Sequence, residues 1–395
     1  MQVSTNIGQS RAVGAVRNGV LDKVSQRRIK VMLAIDGLGL GGAEMVVRDL
    51  ARFLDRDRFD VCICCTKGLG GSIGEELVRD GFDIFVLPGQ RAGSVDYLTG
   101  LKFRQVVKEK QVDIVHTHAM PALLDAGPCR LTMPGLKVVH TFHYGNYPYD
   151  SWRHHIMEGL CARFADRLIA VGWEQRRRLQ TAYRLSDSRV GVVWNGIAVG
   201  PPTPGADFRK EIGTGDRLLV GTIAKLIEQK GLDDLLVVAR RCLDAGHNMQ
   251  FVIVGDGPLR SMLEAKRRDL GLDDTVVITG WVPNAAVRAL PHFDVFLQTS
   301  RWEAMSIAIL EAMATRKAIV ATRVGDNARV LDDDASGLLV APGDIGAMTD
   351  ALCRLKDPQV RHRLAETARK HFEETFTLDR MVLAYQDVYS ELVDR

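Results

Sequence analysis

Residues 29–54 read IKVMLAIDGLGLGGAEMVVRDLARFL. The first seven are almost continuously apolar, which suits a parallel strand buried on both faces. Glycines 37, 39, 41 and 42 follow, and Val46, Val47, Leu50, Phe53 and Leu54 then recur with the period of an amphipathic helix. A strand, a glycine turn and a helix open a doubly wound α/β sheet. The alternation continues outward through apolar runs at 59–65, 83–87, 112–118, 137–143, 166–172 and 190–196. It stops at IAVGPPTPGADFRKEIGTGD (197–216), a Pro- and Gly-rich stretch that predicts a linker. A second series then runs through 218–224, 249–255, 275–282, 294–300, 317–325 and 336–342. Between its strands lie helical stripes such as GLDDLLVVARRCLDAG (231–246). The pattern predicts two Rossmann-like domains, over 29–196 and 217–375, with ligand where the carboxyl ends of both strand sets face each other.

The composition agrees. Of 395 residues, 46% are hydrophobic and 26% charged, with a net charge of +3, which is ordinary for globular α/β domains. Residues 1–200 carry 27 Lys/Arg against 20 Asp/Glu, and residues 201–395 carry 25 against 29. A nucleic-acid binder would show a stronger basic excess. Residues 1–28 hold Arg11, Arg17, Lys23, Arg27 and Arg28 without an apolar core and read as a flexible basic tail. No run approaches the roughly 18 apolar residues of a membrane span. The seven cysteines form no metal-ligand pattern, and Cys62, Cys64 and Cys65 sit inside an apolar run as small core residues. Free thiols in this number point to a cytoplasmic chain.

Four motifs carry chemistry. GLGLGG (37–42) matches a dinucleotide fingerprint, yet the second strand ends in Cys65, Thr66 and Lys67 rather than in the acid that would hold a ribose hydroxyl. What remains is a glycine loop before a helix, where backbone amides can approach a phosphate. DIVHTH (113–118) puts His116 and His118 on one side of a strand end; His116 and His140 read as packed and His118 as the one reaching the cleft. HTFHY adds His143 at H-x-x-H spacing, but no carboxylate or cysteine completes a metal site. AKLIEQKG (224–231) places Lys225 and Lys230 after the first strand of the second series, where two cations could neutralise a diphosphate. SRWEAMSIAILEAMA (300–314) puts Glu303 just before a helix and Glu311 eight residues on, about 80° apart by helical advance.

In this order, GGAE (41–44), DIVHTH, ADRLIAVG (165–172), KLIEQKG, VGDGP (254–258), the E-x7-E segment and SGLLVAPGD (336–344) resemble the family 4 glycosyltransferases over residues 29–395. The resemblance implies a GT-B fold, with two doubly wound domains facing across a cleft and the last helix (376–395) crossing back to the first domain. It implies a retaining, metal-independent transfer of sugar from a nucleotide-diphosphate sugar, with no cofactor. By position, Gly41 and Gly42 would form the loop over the diphosphate and His118 would contact the sugar or assist catalysis. Lys225 and Lys230 would bind the diphosphate, Glu303 would lie by the transferred sugar, and Glu311 would hold the ribose hydroxyls. Backbone amides of Met305, Ser306 and Ile307 would help hold phosphate or sugar.

Some positions depart from the pattern. Lys225 replaces the usual Arg and loses its bidentate fork. Ala304 replaces a glycine that would allow close backbone approach to the donor, and GDNAR (325–329) stands where GGxxE is usual. The expected function is transfer to a glycan or lipid-linked acceptor; contact with an anionic membrane would run through the tail and Arg176, Arg177 and Arg178. The alternatives are a GT-B epimerase, hydrolase or phosphorylase, a nicotinamide-dependent dehydrogenase, or a non-catalytic sugar-binding descendant.

Overall fold

The computed structural model describes residues 27–39, 41–87, 99–145, 151–204, 207–332 and 334–394. The apolar runs become thirteen strands, because a run with no polar face is stable only where both faces are covered. The first sheet holds β1 (Ile29–Ile35), β2 (Phe59–Cys65), β3 (Ile84–Val86), β4 (Ile114–Thr117), β5 (Lys137–Phe142), β6 (Arg167–Ala170) and β7 (Val190–Val192). Its order is β3-β2-β1-β4-β5-β6-β7, with every pairing parallel. The second sheet holds β8 (Leu218–Ile223), β9 (Met249–Val254), β10 (Val276–Gly280), β11 (Val295–Gln298), β12 (Ala318–Thr322) and β13 (Leu338–Val340). It is also parallel, in the order β10-β9-β8-β11-β12-β13. The order in which strands are added therefore reverses between β1 and β4 and again between β8 and β11. These are the two switch points at which doubly wound sheets bind ligand.

The last helix, Leu378–Val393, returns to the first domain. Met381, Val382, Tyr385, Tyr389 and Leu392 are buried in one core with Val31, Leu33, Val47 and Leu50. The stretch predicted as a linker contains the short helix Phe208–Glu211, whose Phe208 is buried with residues of the second domain. Ile197, at its start, pairs with Thr377 just before the returning helix. The basic tail lies almost wholly in residues 1–26, outside the described residues. No helix among the described residues is long and apolar enough to cross a membrane.

Candidate active site

The first domain contributes two histidines that meet because β4 and β5 are neighbours. His118 follows β4 and His143 follows β5, and His118 Nδ1 lies 3.0 Å from His143 Nε2. Behind them, His116 is fully buried, with its Nδ1 2.6 Å from the Tyr389 hydroxyl and its Nε2 2.8 Å from Thr141 Oγ1. The returning helix thus anchors His116, and the His116 ring packs on that of His118, centroids 4.0 Å apart. His140 is held by Thr117 at 2.8 Å. Burial drives all four imidazoles below their ordinary range, to about 4 for His143 and about 3 for His140, and well down in direction for His116 and His118. They are neutral at pH 7. The His118–His143 bond therefore ties the His118 tautomer to that of His143. His118 Nε2 is buried without a protein partner, so it is the nitrogen left for a ligand.

The second domain supplies a pocket at its switch point. Its walls include Ile223, Ala224, Lys230, Ser300, Ser306 and Ala308. Glu303, almost fully buried, sits at the centre of a hydrogen-bonded set. Its Oε1 accepts from Lys230 Nζ at 2.5 Å and from Ser300 Oγ at 2.7 Å, and its Oε2 accepts from Gln229 Nε2 at 3.2 Å. Lys230 and Glu303, 73 residues apart, thus form one unit. Lys225 is exposed beside Ala224 and makes no ion pair among the described residues.

The helix Ile307–Ala314 begins at this pocket, with Ser306 as its N-cap. Ser306 Oγ accepts from Ile309 N and, at 2.7 Å, from Gln298 Nε2, while Gln298 Oε1 accepts from Asn327 Nδ2 at 2.7 Å. This buried chain of amides fixes the helix start. Glu303 precedes the N-cap, so the 80° separation expected from helical advance does not apply; only Glu311 is helical. Burial pushes the Glu311 carboxyl up to about 7, opposed by Arg48 of the first domain. The first-domain helix Gly42–Phe53 starts at Gly41, which offers no side-chain cap, and Glu44 folds back against Gly41 in its first turn. A Cβ at Gly42 would stand 3.6 Å from Ile307 Cγ1. Two helix N-termini therefore converge across the cleft, an arrangement that favours an anion between them.

The backbone at Ala304 is closely approached by the chain itself. The Glu303–Ala304 backbone is sandwiched between Gly145 of the first domain and Gly325 of the second, and a side chain at either would overlap it. Met305 also joins the domains, its Sδ accepting from Asn195 N at 3.2 Å. Asp326, noted only as a departure in sequence, is fully buried and accepts from Glu174 N at 2.9 Å. It caps the first-domain helix Trp173–Tyr183 from across the cleft. His143, Gly145 and Arg48 were likewise not singled out as site residues; only the H-x-x-H spacing signalled the first.

Two other motifs make contacts within the chain. Thr66 and Lys67 both bond to Asp36, Lys67 at 2.7 Å, so the end of β2 offers a cation rather than a ribose-binding acid. Arg176 bonds to Val190 O and Asp187 O, while Arg177 and Arg178 both pair with Glu174. Arg177 and Arg178 thus share a single carboxylate. Among the described residues no cluster of three or more His, Cys, Asp or Glu has a metal-binding arrangement.

Two parallel sheets of this order, a last helix that returns to the first domain and a pocket at the second switch point define the GT-B class. Residues 40–200 match the family model Glycosyltransferase Family 4, and residues 217–357 match Glycosyl transferases group 1. The chain belongs to the family 4 glycosyltransferases and is a glycosyltransferase. An Escherichia coli UDP-Gal:alpha-D-GlcNAc-diphosphoundecaprenol alpha-1,3-galactosyltransferase is 24% identical, over 90% of this chain and 95% of that one. A Streptomyces kanamyceticus alpha-D-kanosaminyltransferase is 34% identical over 41% of this chain, and the match spans 43% of that protein. The crystal structure of Anabaena HepE with UDP and glucose superposes with a TM-score of 0.79 at 20% identity, covering 92% of this chain and all (100%) of that one.

Proposed function

We propose that the protein is a retaining glycosyltransferase that moves a sugar from a nucleoside-diphosphate sugar to a hydroxyl of a glycan or lipid-linked acceptor, at the inner face of the cell membrane. The convergence of Lys230, Glu303 and two helix N-termini at the second switch point carries the reading. In it, Lys225, Lys230 and the amides of Gly41, Gly42, Met305, Ser306 and Ile307 meet the diphosphate. Their charge stabilises the departing nucleoside diphosphate, which is where negative charge develops. Side-chain cations and helix ends fill the role that a divalent cation would otherwise take. Glu311 accepts hydrogen bonds from the ribose hydroxyls.

When Lys230 turns to the diphosphate, Glu303 keeps Ser300 and Gln229 and gains a free acceptor edge toward the sugar. His118 Nε2 meets a sugar hydroxyl from the other side. The C1–O bond breaks through an oxocarbenium-like state, and the acceptor hydroxyl attacks from the face the leaving group vacates. The acceptor's proton passes to the departing phosphate oxygen. The donors and acceptors of the named relatives support a nucleotide-sugar donor and a lipid-linked acceptor here. Proton NMR of the first-formed product tests the stereochemistry: an α-linked donor should give an α-linked product, and a β-linked product would refute retention.

A further inference from the structure

The helix Trp152–Cys161 and the turn Ala162–Phe164 after it present their side chains in the reverse of the usual arrangement. Trp152, Ile156, Leu160 and Phe164, spaced by four, form one outward ridge, with exposures of 67%, 48%, 50% and 37%. Met157 stands beside them at 45%. The one acid of the segment, Glu158, is turned inward and buried, where it accepts a 2.5 Å hydrogen bond from the Tyr183 hydroxyl. A surface helix ordinarily buries its apolar stripe and exposes its charges. Leaving a Trp, an Ile, a Leu and a Met in water beside a buried carboxylate marks a surface that something else covers.

The charge around the ridge identifies the cover. The exposed charged residues of the segment are both basic: Arg153 and Arg163. Arg153 stands 5.6 Å from the Trp152 ring, so the ridge begins with an amphipathic aromatic beside a cation. A second copy of the chain, packed ridge to ridge, would bring these like charges together. An apolar ridge edged by arginines instead suits the boundary between acyl chains and anionic headgroups. The segment also lies close to the chemistry along the chain, since it follows His143 and Gly145, which contact His118 and the Glu303 backbone.

We infer that the Trp152–Phe164 segment is the membrane-docking surface of this enzyme, seated on an anionic bilayer with Trp152, Ile156 and Leu160 among the acyl chains and Arg153 and Arg163 at the headgroups. The inference rests on the reading of a membrane-borne acceptor. It places the contact on a different helix from Arg176–Arg178, which bond to Asp187 and Glu174 within the chain.

Flotation of the full chain with vesicles tests it, using phosphatidylcholine alone and phosphatidylcholine mixed with phosphatidylglycerol. The wild type should float with the mixed vesicles and not with the neutral ones. The double variant Ile156→Glu/Leu160→Glu, altered only at exposed positions, should stay at the bottom. Arg153→Gln/Arg163→Gln should weaken partitioning by about 25-fold, about fivefold for each cation. Neutralising Arg176, Arg177 and Arg178 together should change it less than twofold. Calorimetric titration with a panel of nucleoside diphosphates should give the same binding for the wild type and the ridge variants. Loss of vesicle binding with diphosphate binding intact is therefore specific to the ridge, and a panel in which no diphosphate binds any form would fault the donor reading instead. A wild type that ignores anionic vesicles, or a glutamate variant that floats as well as the wild type, would overturn the inference. So would a dimer in sedimentation that the glutamates dissolve, because a second copy would then be the cover.

Discussion

The Lys230–Glu303 pair carries a quantitative prediction. Glu303 is 6% exposed and the Lys230 side chain 23%, with 2.5 Å between the charged atoms. Removing one member of a buried pair costs about 3–5 kcal/mol, because the other charge is left uncompensated. Here Ser300 and Gln229 still hold the carboxylate and water reaches part of Lys230, so Lys230→Met should cost about 2 kcal/mol. In a domain of this size that lowers the Tm by roughly 4–8 °C. Glu303→Gln should cost a similar amount, since it strands the ammonium. The double variant should cost less than the two singles together, by a coupling of about 2 kcal/mol from the same pair. Urea denaturation of the four proteins measures that coupling. Repeating the cycle with saturating UDP should shrink it to below about 0.5 kcal/mol, because Lys230 will have moved to the diphosphate. A coupling near zero without ligand would refute the pair as a structural unit. An unchanged coupling with UDP bound would refute the exchange of partners.

Three further outcomes follow. Glu311 has its carboxyl raised to about 7 by burial, so its ionisation opposes folding above the unfolded value and does so fully above pH 7. Glu311→Gln should therefore raise stability by up to about 3 kcal/mol at pH 8 and leave it unchanged at pH 4, while ribose binding should pull the carboxyl down and release a proton near pH 6.5, measurable by calorimetry in buffers of different ionisation enthalpy. Asp326→Ala should cost about 1–2 kcal/mol as a lost helix cap and loosen domain closure, read as a larger radius of gyration by X-ray scattering. Gly172→Ala, whose Cβ would overlap the Asp326 carboxylate, should do the same from the other side, and an unchanged radius in both would remove the clasp. His140 and His143 are held to about 3 and about 4, so the fold loses stability as pH falls below 6.5 and the unfolded chain takes up their protons. His143→Phe should reduce that slope between pH 6 and 4 by about 1.4 kcal/mol per pH unit.

The fold was legible in the sequence because a strand buried on both faces leaves a mark that needs no partner to be read. Each of the thirteen apolar runs contains a strand, and the runs overshoot mainly at their ends, where the chain enters cleft loops and keeps apolar residues for packing between domains. The site was legible as residue types and not as pairs. Lys230 and Glu303 were each visible as charges, but their bond depends on β8 and β11 being adjacent, which spacing along the chain does not encode. His118 was visible at a strand end, whereas the His118–His143 contact needs β4 beside β5. Asp326 could be noted only as an unusual residue, since the helix it caps belongs to the other domain. The ridge of Trp152, Ile156 and Leu160 misleads in a different way. Its i, i+4 spacing is that of a core-facing stripe, and only the inward turn of Glu158 shows that the face is reversed.

The central claim is that a nucleoside-diphosphate sugar lies at the second switch point, held by Lys230 and Glu311. Calorimetric titration of the wild type with a panel of nucleoside diphosphates, repeated on Lys230→Ala and Glu311→Ala, tests it most directly. At least one diphosphate should bind the wild type, and each variant should bind it at least tenfold more weakly, the loss expected when one charged hydrogen bond of about 1.5–3 kcal/mol is removed. A panel in which no diphosphate binds, or variants that bind as tightly as the wild type, would contradict it.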